Sequence, residues 1–138
     1  MVKELPYRLY KFGKTNSVDV LERFSRDRHY SLKWRGIPLS EDYDVSVIWS
    51  HWVSKKEAKE AEEWFKENYP KKFFCKKDFN GITECRDWDP RQSYAFSHEL
   101  RKRYPSNKEY EEGITKLLKE NILCNTHDKI YFVMLTKK

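Results

Sequence analysis

The chain of 138 residues has no apolar run approaching the roughly 20 residues that span a bilayer, so no membrane-crossing helix is expected. It shows no secretory leader, and its three cysteines, Cys75, Cys85 and Cys124, cannot all pair within one chain. Both features point to a reducing compartment and a soluble, cytoplasmic protein. No internal repeat or low-complexity tract occurs, and there is no Cys-x-x-Cys pair. Cys124-x-x-His127 taken with Cys75 and Cys85 fits no common zinc spacing. No Gly-x-x-x-x leads into Gly13-Lys14-Thr15, which makes a Walker phosphate loop a poor reading. The Ser, His and Asp residues show no nucleophile-elbow context.

What is there instead is aromatic. Hydrophobic residues make up only 38% of the chain, but 16% are Phe, Tyr or Trp, and large rings bury enough area to replace many aliphatics. Their abundance argues against disorder despite 36% charged residues. The length fits one domain with its own core, without metal or disulfide staples. Lys and Arg exceed Asp and Glu by 28 to 22, giving +6 and a pI near 9.1. Such a field favours polyanionic partners, nucleic acid first. The plainer reading is that the charge only keeps the protein soluble.

Periodicity and punctuation predict an interleaved α+β order. Tyr7–Gly13 reads as a strand ending at a turn over Gly13–Asn16, and Ser17 or Asp19 caps a short helix with Val20, Leu21 and Phe24. Ser25–Pro38 reads as a basic loop. Asp44–Val53 is the clearest strand, with Val45, Val47, Trp49 and Val53 expected on one face and Ile48 and Trp52 on the other. Ser54-x-x-Glu57 has the form of a capping box. The helix it opens should run to about Asn68, with Ala58, Ala61, Phe65 and Tyr69 as its stripe and Trp64 alongside. Beyond Pro70 come a strand over Lys72–Lys76, a turn at Asp78–Gly81, an extended Ile82–Trp88 and a helix over Ser93–Arg103. Ser106-x-x-Glu109 reads as a second capping box, for a helix carrying Tyr110, Ile114, Leu117 and Leu118. Asn125–Asp128 is expected to turn, and Ile130–Leu135 to close the chain as a strand.

Lys11-Phe12-Gly13-Lys14-Thr15, followed by Leu21-Glu22-Arg23-Phe24, resembles the second half of the GIY-YIG nuclease signature. The match is to the block YIG-K-T … L-x-x-R, in phage-type variants with lysine at the tyrosine position. The loop, the strand and the acidic helix follow in the family's order. Asn80-Gly81-Ile82-Thr83-Glu84 resembles the Gly-x-x-Glu stretch that ends many such cores. The resemblance covers residues 7–86. It implies a small, mainly antiparallel sheet of three to four strands flanked by helices, with residues 1–90 as core and 91–138 as an α/β extension packed on the same domain. It further implies a phage-type DNA-binding protein, DNA being favoured over RNA. Where catalysis is retained, it implies a Mg²⁺-dependent endonuclease.

Phosphodiester cleavage requires a positioned water, a cation at the developing charge and help for the leaving oxygen. The resemblance assigns tyrosines to the water, a helix arginine to the phosphate and a glutamate to the metal. By position, Lys11 matches the second tyrosine and Arg23 the arginine. The family pattern in Glu57-Ala58 … Glu62 selects Glu62 as the Mg²⁺ ligand. Helical geometry independently sets Glu62 beside the apolar stripe, whereas Glu60, Glu63 and Glu67 cluster opposite it. The resemblance implies a truncated or degenerate first strand, since only Met1–Pro6 precede Tyr7. Ile130–Leu135 is a candidate to fill its place in the sheet without restoring its tyrosine. Lys14 and the loop residues Arg26, Arg28, His29, Tyr30, Lys33, Trp34 and Arg35 interleave cations with rings, as nucleic-acid contact surfaces do.

Each assignment has a plainer counterpart. Arg23 reads equally as a surface arginine, and Glu62 as a partner of Lys59 or Lys66 on the same helix. Lys11 and Lys14 read as lysines that block edge pairing, and Trp34 as a loop anchor. Arg101–Arg103 suits a solvated helix end, and His51 a satisfied core position. The whole-molecule alternative is a catalytically inactive GIY-YIG-like phage protein that binds a host or phage protein, with Trp88–Lys138 supplying the interface.

Overall fold

Three β-rich stretches become the long strands of one sheet: β1 (Arg8–Thr15), β4 (Tyr43–Ser54) and β6 (His127–Lys137). A computed structural model of the chain describes residues 7–24, 33–34, 37–38, 43–70 and 85–138. With the two-residue β5 (Cys85–Arg86) they form a four-stranded antiparallel sheet in the order β4-β6-β1-β5. Helices flank it, so the α+β class and the small antiparallel sheet are as the sequence led one to expect. Within the basic loop, β2 (Lys33–Trp34) and β3 (Ile37–Pro38) pair antiparallel as a second, two-stranded sheet. The last strand lies between β4 and β1, so the sheet is built from segments on both sides of residue 90.

Side chains alternate between the faces of a strand. On β1, Leu9, Lys11 and Gly13 point to one face, and Tyr10, Phe12 and Lys14 to the other. The first face gathers Leu9, Val20, Phe24, Tyr43, Cys85, Tyr131, Val133 and Leu135. The second packs Tyr10, Phe12, Ile130 and Phe132 against helices. In β4 the alternation is broken. Val47 pairs with Val133 and Trp49 with Phe132, leaving Ile48 as the extra residue of a bulge. Val45 and Val47 therefore share a face with Leu135 and Val133, whereas Trp49 and Val53 lie on the opposite face. The single stripe read from the sequence is split by that one inserted residue.

α1 (Lys55–Asn68) begins as its sequence dictates. The Ser54 hydroxyl accepts from the Glu57 N–H at 3.1 Å, and the Glu57 carboxylate accepts from the Ser54 N–H at 3.2 Å. Its buried Ala58, Ala61 and Phe65 press on the second face. Full burial of the Phe65 ring contributes on the order of 2–3 kcal/mol. α2 (Pro90–Arg103) starts three residues earlier than Ser93, because Asp89 and Gln92 cap it reciprocally and Pro90 is pre-set for the first turn.

α3 (Lys108–Lys119) is capped by Asn107, which accepts from the Tyr110 N–H at 2.8 Å. The expected box at Ser106 does not form, since its hydroxyl donates to Glu111 instead. Leu118, read as part of the apolar face, is exposed. Asn121 takes a left-handed φ of 58° just past this helix, the conformation that ends many helices. A short α4 (Leu123–Thr126) replaces the start of the expected turn, and β6 begins at His127.

α3 also shields the edge strand. Tyr110 donates its hydroxyl to the Trp52 carbonyl, and Trp52, Ile114 and Leu123 form a small third cluster. Val20–Phe24 is a 3₁₀ helix rather than an α-helix, with the Asp19 carboxylate accepting from the Leu21 N–H at 3.0 Å. The expectations for residues 25–32, 71–76 and 77–84 lie outside the described residues. Among the described residues, no helix is long and apolar enough to cross a membrane.

Candidate functional site

The site the sequence pointed to is organised around Gly13. The β1–β6 register sets Lys11 opposite Val133 and Gly13 opposite Tyr131. A Cβ at Gly13 would lie 2.7 Å from Tyr131 Oη, 2.9 Å from its Cζ and 3.0 Å from Lys11 Nζ. The backbone at Gly13 is not left-handed, so the glycine is required by space and not by torsion. Lys11 Nζ lies 5.7 Å from the centroid of the Tyr131 ring, within cation–π range. Phe24 meets the same ring edge-on at 5.9 Å, which sets the 3₁₀ helix, and with it the backbone of Arg23, on this face.

This corner is closed. Lys11 is 4% exposed and Tyr131 is 0% exposed. Lys11 is thus a core lysine in contact with an aromatic face, as a buried cation requires partners. Tyr131 was not singled out from the sequence, where the last strand was expected to fill the place of the family's first strand without restoring its tyrosine. The signal was the phrase Ile130-Tyr131, whose meaning depended on which strand it would pair with.

The remaining assignments are placed elsewhere. Lys14 is half-buried and points to the opposite face, beside Ile130. Glu62 is half-buried on α1, which packs on the side of the sheet facing away from Lys11 and Tyr131. Lys33 and Trp34 form β2, while Arg26, Arg28 and Arg35 lie outside the described residues. Among the described residues, no three His, Cys, Asp or Glu side chains converge as a metal site. With the sheet between Lys11 and Glu62, these residues do not fit one magnesium centre.

Two polar groupings lie at the same end of the sheet. Asn16 Nδ2 donates to the Cys124 carbonyl at 2.6 Å and to Asp128 Oδ1 at 3.3 Å, and Lys55 Nζ pairs with the same carboxylate oxygen at 3.0 Å. Lys129 Nζ donates to the Val18 carbonyl at 2.8 Å and lies 5.4 Å from the Trp52 ring centroid. Burial lowers the Lys129 pKa, against the opposing pull of Asp19 and Glu111. Both groupings tie the turn after β1 to the start of β6, and neither leaves a cluster poised for catalysis.

His51 lies on β4 with its ring stacked on Tyr110 at 4.9 Å and on Trp49 at 5.7 Å. Burial lowers its pKa, and Glu111 and Glu57 oppose the shift. It is a core histidine, as the sequence suggested. No family model, no curated protein and no solved structure matches this chain.

Proposed function

We propose that this chain is a DNA-binding protein built on a GIY-YIG-like core whose first strand is supplied by β6. The observation that carries the reading is the place of that strand, beside β1 and between it and β4, with Tyr131 over Gly13 and against Lys11. The resemblance calls for a tyrosine strand adjoining the Lys11–Thr15 block, and β6 offers one from the far end of the chain. The Lys137 N–H donates to the Tyr7 carbonyl at 2.7 Å, so the two strands run in register to their outer ends. The net charge of +6 supports a polyanionic partner.

A second reading is favoured by the closure of the same corner. A phenol and an ammonium at 0% and 4% exposure offer little to a phosphodiester. A core retained for its architecture, with cleavage lost and a host or phage protein as partner, accounts for that burial. The two readings separate in one experiment. Fluorescence anisotropy with duplex DNA is run across a salt series, beside a plasmid-nicking assay with and without Mg²⁺. DNA binding that weakens steeply as salt rises is expected. Affinity that is absent, or insensitive to salt, refutes the DNA-binding reading and leaves the protein-partner one. Nicking that requires Mg²⁺ and is lost in Arg23→Ala and Glu62→Ala, with folding intact, establishes an endonuclease.

A further inference from the structure

A cavity of about 290 Å³ that none of the residues above uses lies beside the C-terminal end of α1. Tyr69, Trp88, Gln92, Ala95, Phe96 and Glu99 line it. Tyr69 caps α1, and Trp88 precedes α2. Gln92, Phe96 and Glu99 recur at the spacing that puts them on one face of α2. The three rings meet at steep angles. Tyr69 and Trp88 are 5.6 Å apart at 63°, Tyr69 and Phe96 4.8 Å at 76°, and Trp88 and Phe96 5.2 Å at 61°. Phe132 backs Phe96 at 4.9 Å and Phe65 backs Trp88 at 6.0 Å. Arg86 Nε donates to the Tyr69 carbonyl at 2.5 Å. The aromatic corner is therefore held from behind, before any ligand arrives.

Among the described residues that line the cavity, Glu99 is the only charged one. It is half-buried and makes no hydrogen bond or ion pair with the described residues. A cation seated in the cavity would give this carboxylate a partner. Burial raises the Tyr69 pKa, and the charge of Glu99 adds to the rise against a smaller opposing effect of Arg103. Gln92 turns its carbonyl oxygen to the Asp89 N–H, from which it accepts at 3.0 Å. The rings and the Glu99 carboxylate are the groups of the described lining that attract a cation, in a chain that is otherwise net positive. The same carboxylate disfavours a phosphate-bearing ligand there.

We propose that this cavity binds an alkylammonium cation, its head group against Tyr69 and Trp88 and its charge toward Glu99. Cation–π attraction to aromatic faces and one carboxylate is the chemistry that recognises trimethylammonium groups. The shared head group occurs in free choline-like cations and in methylated lysine side chains. The inference is independent of DNA binding, since it concerns the opposite face of the sheet from Lys11 and a ligand of the other charge.

The full chain is titrated with choline chloride at constant ionic strength while the Trp88 indole N–H resonance is followed. Saturable movement of that resonance is expected. Glu99→Gln, which disturbs no hydrogen bond or ion pair, should weaken it about fivefold, the loss of one partly exposed charge pair, with an unchanged melting temperature. A parallel titration uses 3,3-dimethylbutan-1-ol, the uncharged isostere of choline, and should give no saturable shift. A trimethyllysine peptide that binds more tightly than choline assigns the cation to a protein side chain, and equal binding assigns it to a free cation. The proposal is overturned if the isostere binds as well as choline, if Glu99→Gln leaves choline binding unchanged, or if cytidine saturates the site and choline does not.

Discussion

Replacing Gly13 by alanine tests the central corner most directly, because the usual effect of that change has the opposite sign. In a strand whose backbone alanine can adopt, Gly→Ala stabilises by about 0.4–1 kcal/mol through the unfolded chain's lost freedom. Here the new methyl would lie 2.7 Å from Tyr131 Oη, 2.9 Å from Cζ and 3.0 Å from Lys11 Nζ. Real side chains do not make the first two contacts, and Tyr131 is fully buried. Overpacking a core by one methyl costs about 1–3 kcal/mol, so a net loss of about 1–2 kcal/mol is expected. For a chain of this length that is a fall in Tm of about 3–8 °C. Urea denaturation at pH 7 gives the free energy and calorimetry the midpoint. Tyr131→Phe removes the nearest of the three contacts, so Gly13→Ala should cost less in that background, a coupling that a double-mutant cycle reads directly. If Gly13→Ala is neutral or stabilising, or costs the same with Phe at position 131, Tyr131 does not lie over Gly13 and the core reading built on it fails.

Three further outcomes are expected. His51 has a pKa held below its ordinary 6.5, chiefly by burial, so the folded state resists its protonation. Stability present above that unfolded value is lost as pH falls below it, and the drop in urea midpoint from pH 7.5 to pH 5.5 should be smaller in His51→Phe. Asp128→Ala removes the carboxylate held by Lys55 and Asn16 and should cost about 1–2 kcal/mol, measured by urea denaturation at low and high salt. Tyr110→Phe deletes the hydroxyl that donates to the Trp52 carbonyl; a loss of about 1 kcal/mol and faster amide exchange along α3 are expected.

The helices were legible wherever their signals were local. Ser54 and Glu57 cap α1 with their own backbone and side-chain atoms, and the stripe of Ala58, Ala61 and Phe65 lies within three turns. The start of α2 was equally local, in Asp89-Pro90 followed by Gln92, and a reading that gave the cap priority over the apolar residues would have found it. At α3 two neighbouring cap-type residues competed. Asn107 won because Ser106 turned to Glu111, a choice the spacing alone does not encode.

The charge, the α+β class and the aromatic character of the core follow from the sequence alone, because they depend on composition and on patterns a few residues long. The bulge after Val47, the insertion of β6 between β4 and β1, and the meeting of Lys11, Gly13 and Tyr131 depend on partners up to about 120 residues away. Period-two alternation states which side chains share a face of one strand, but not which strand will lie beside it. The tertiary structure alone brought Tyr131 to Gly13, set Glu62 on the far side of the sheet, and gathered Tyr69, Trp88 and Glu99 around one cavity.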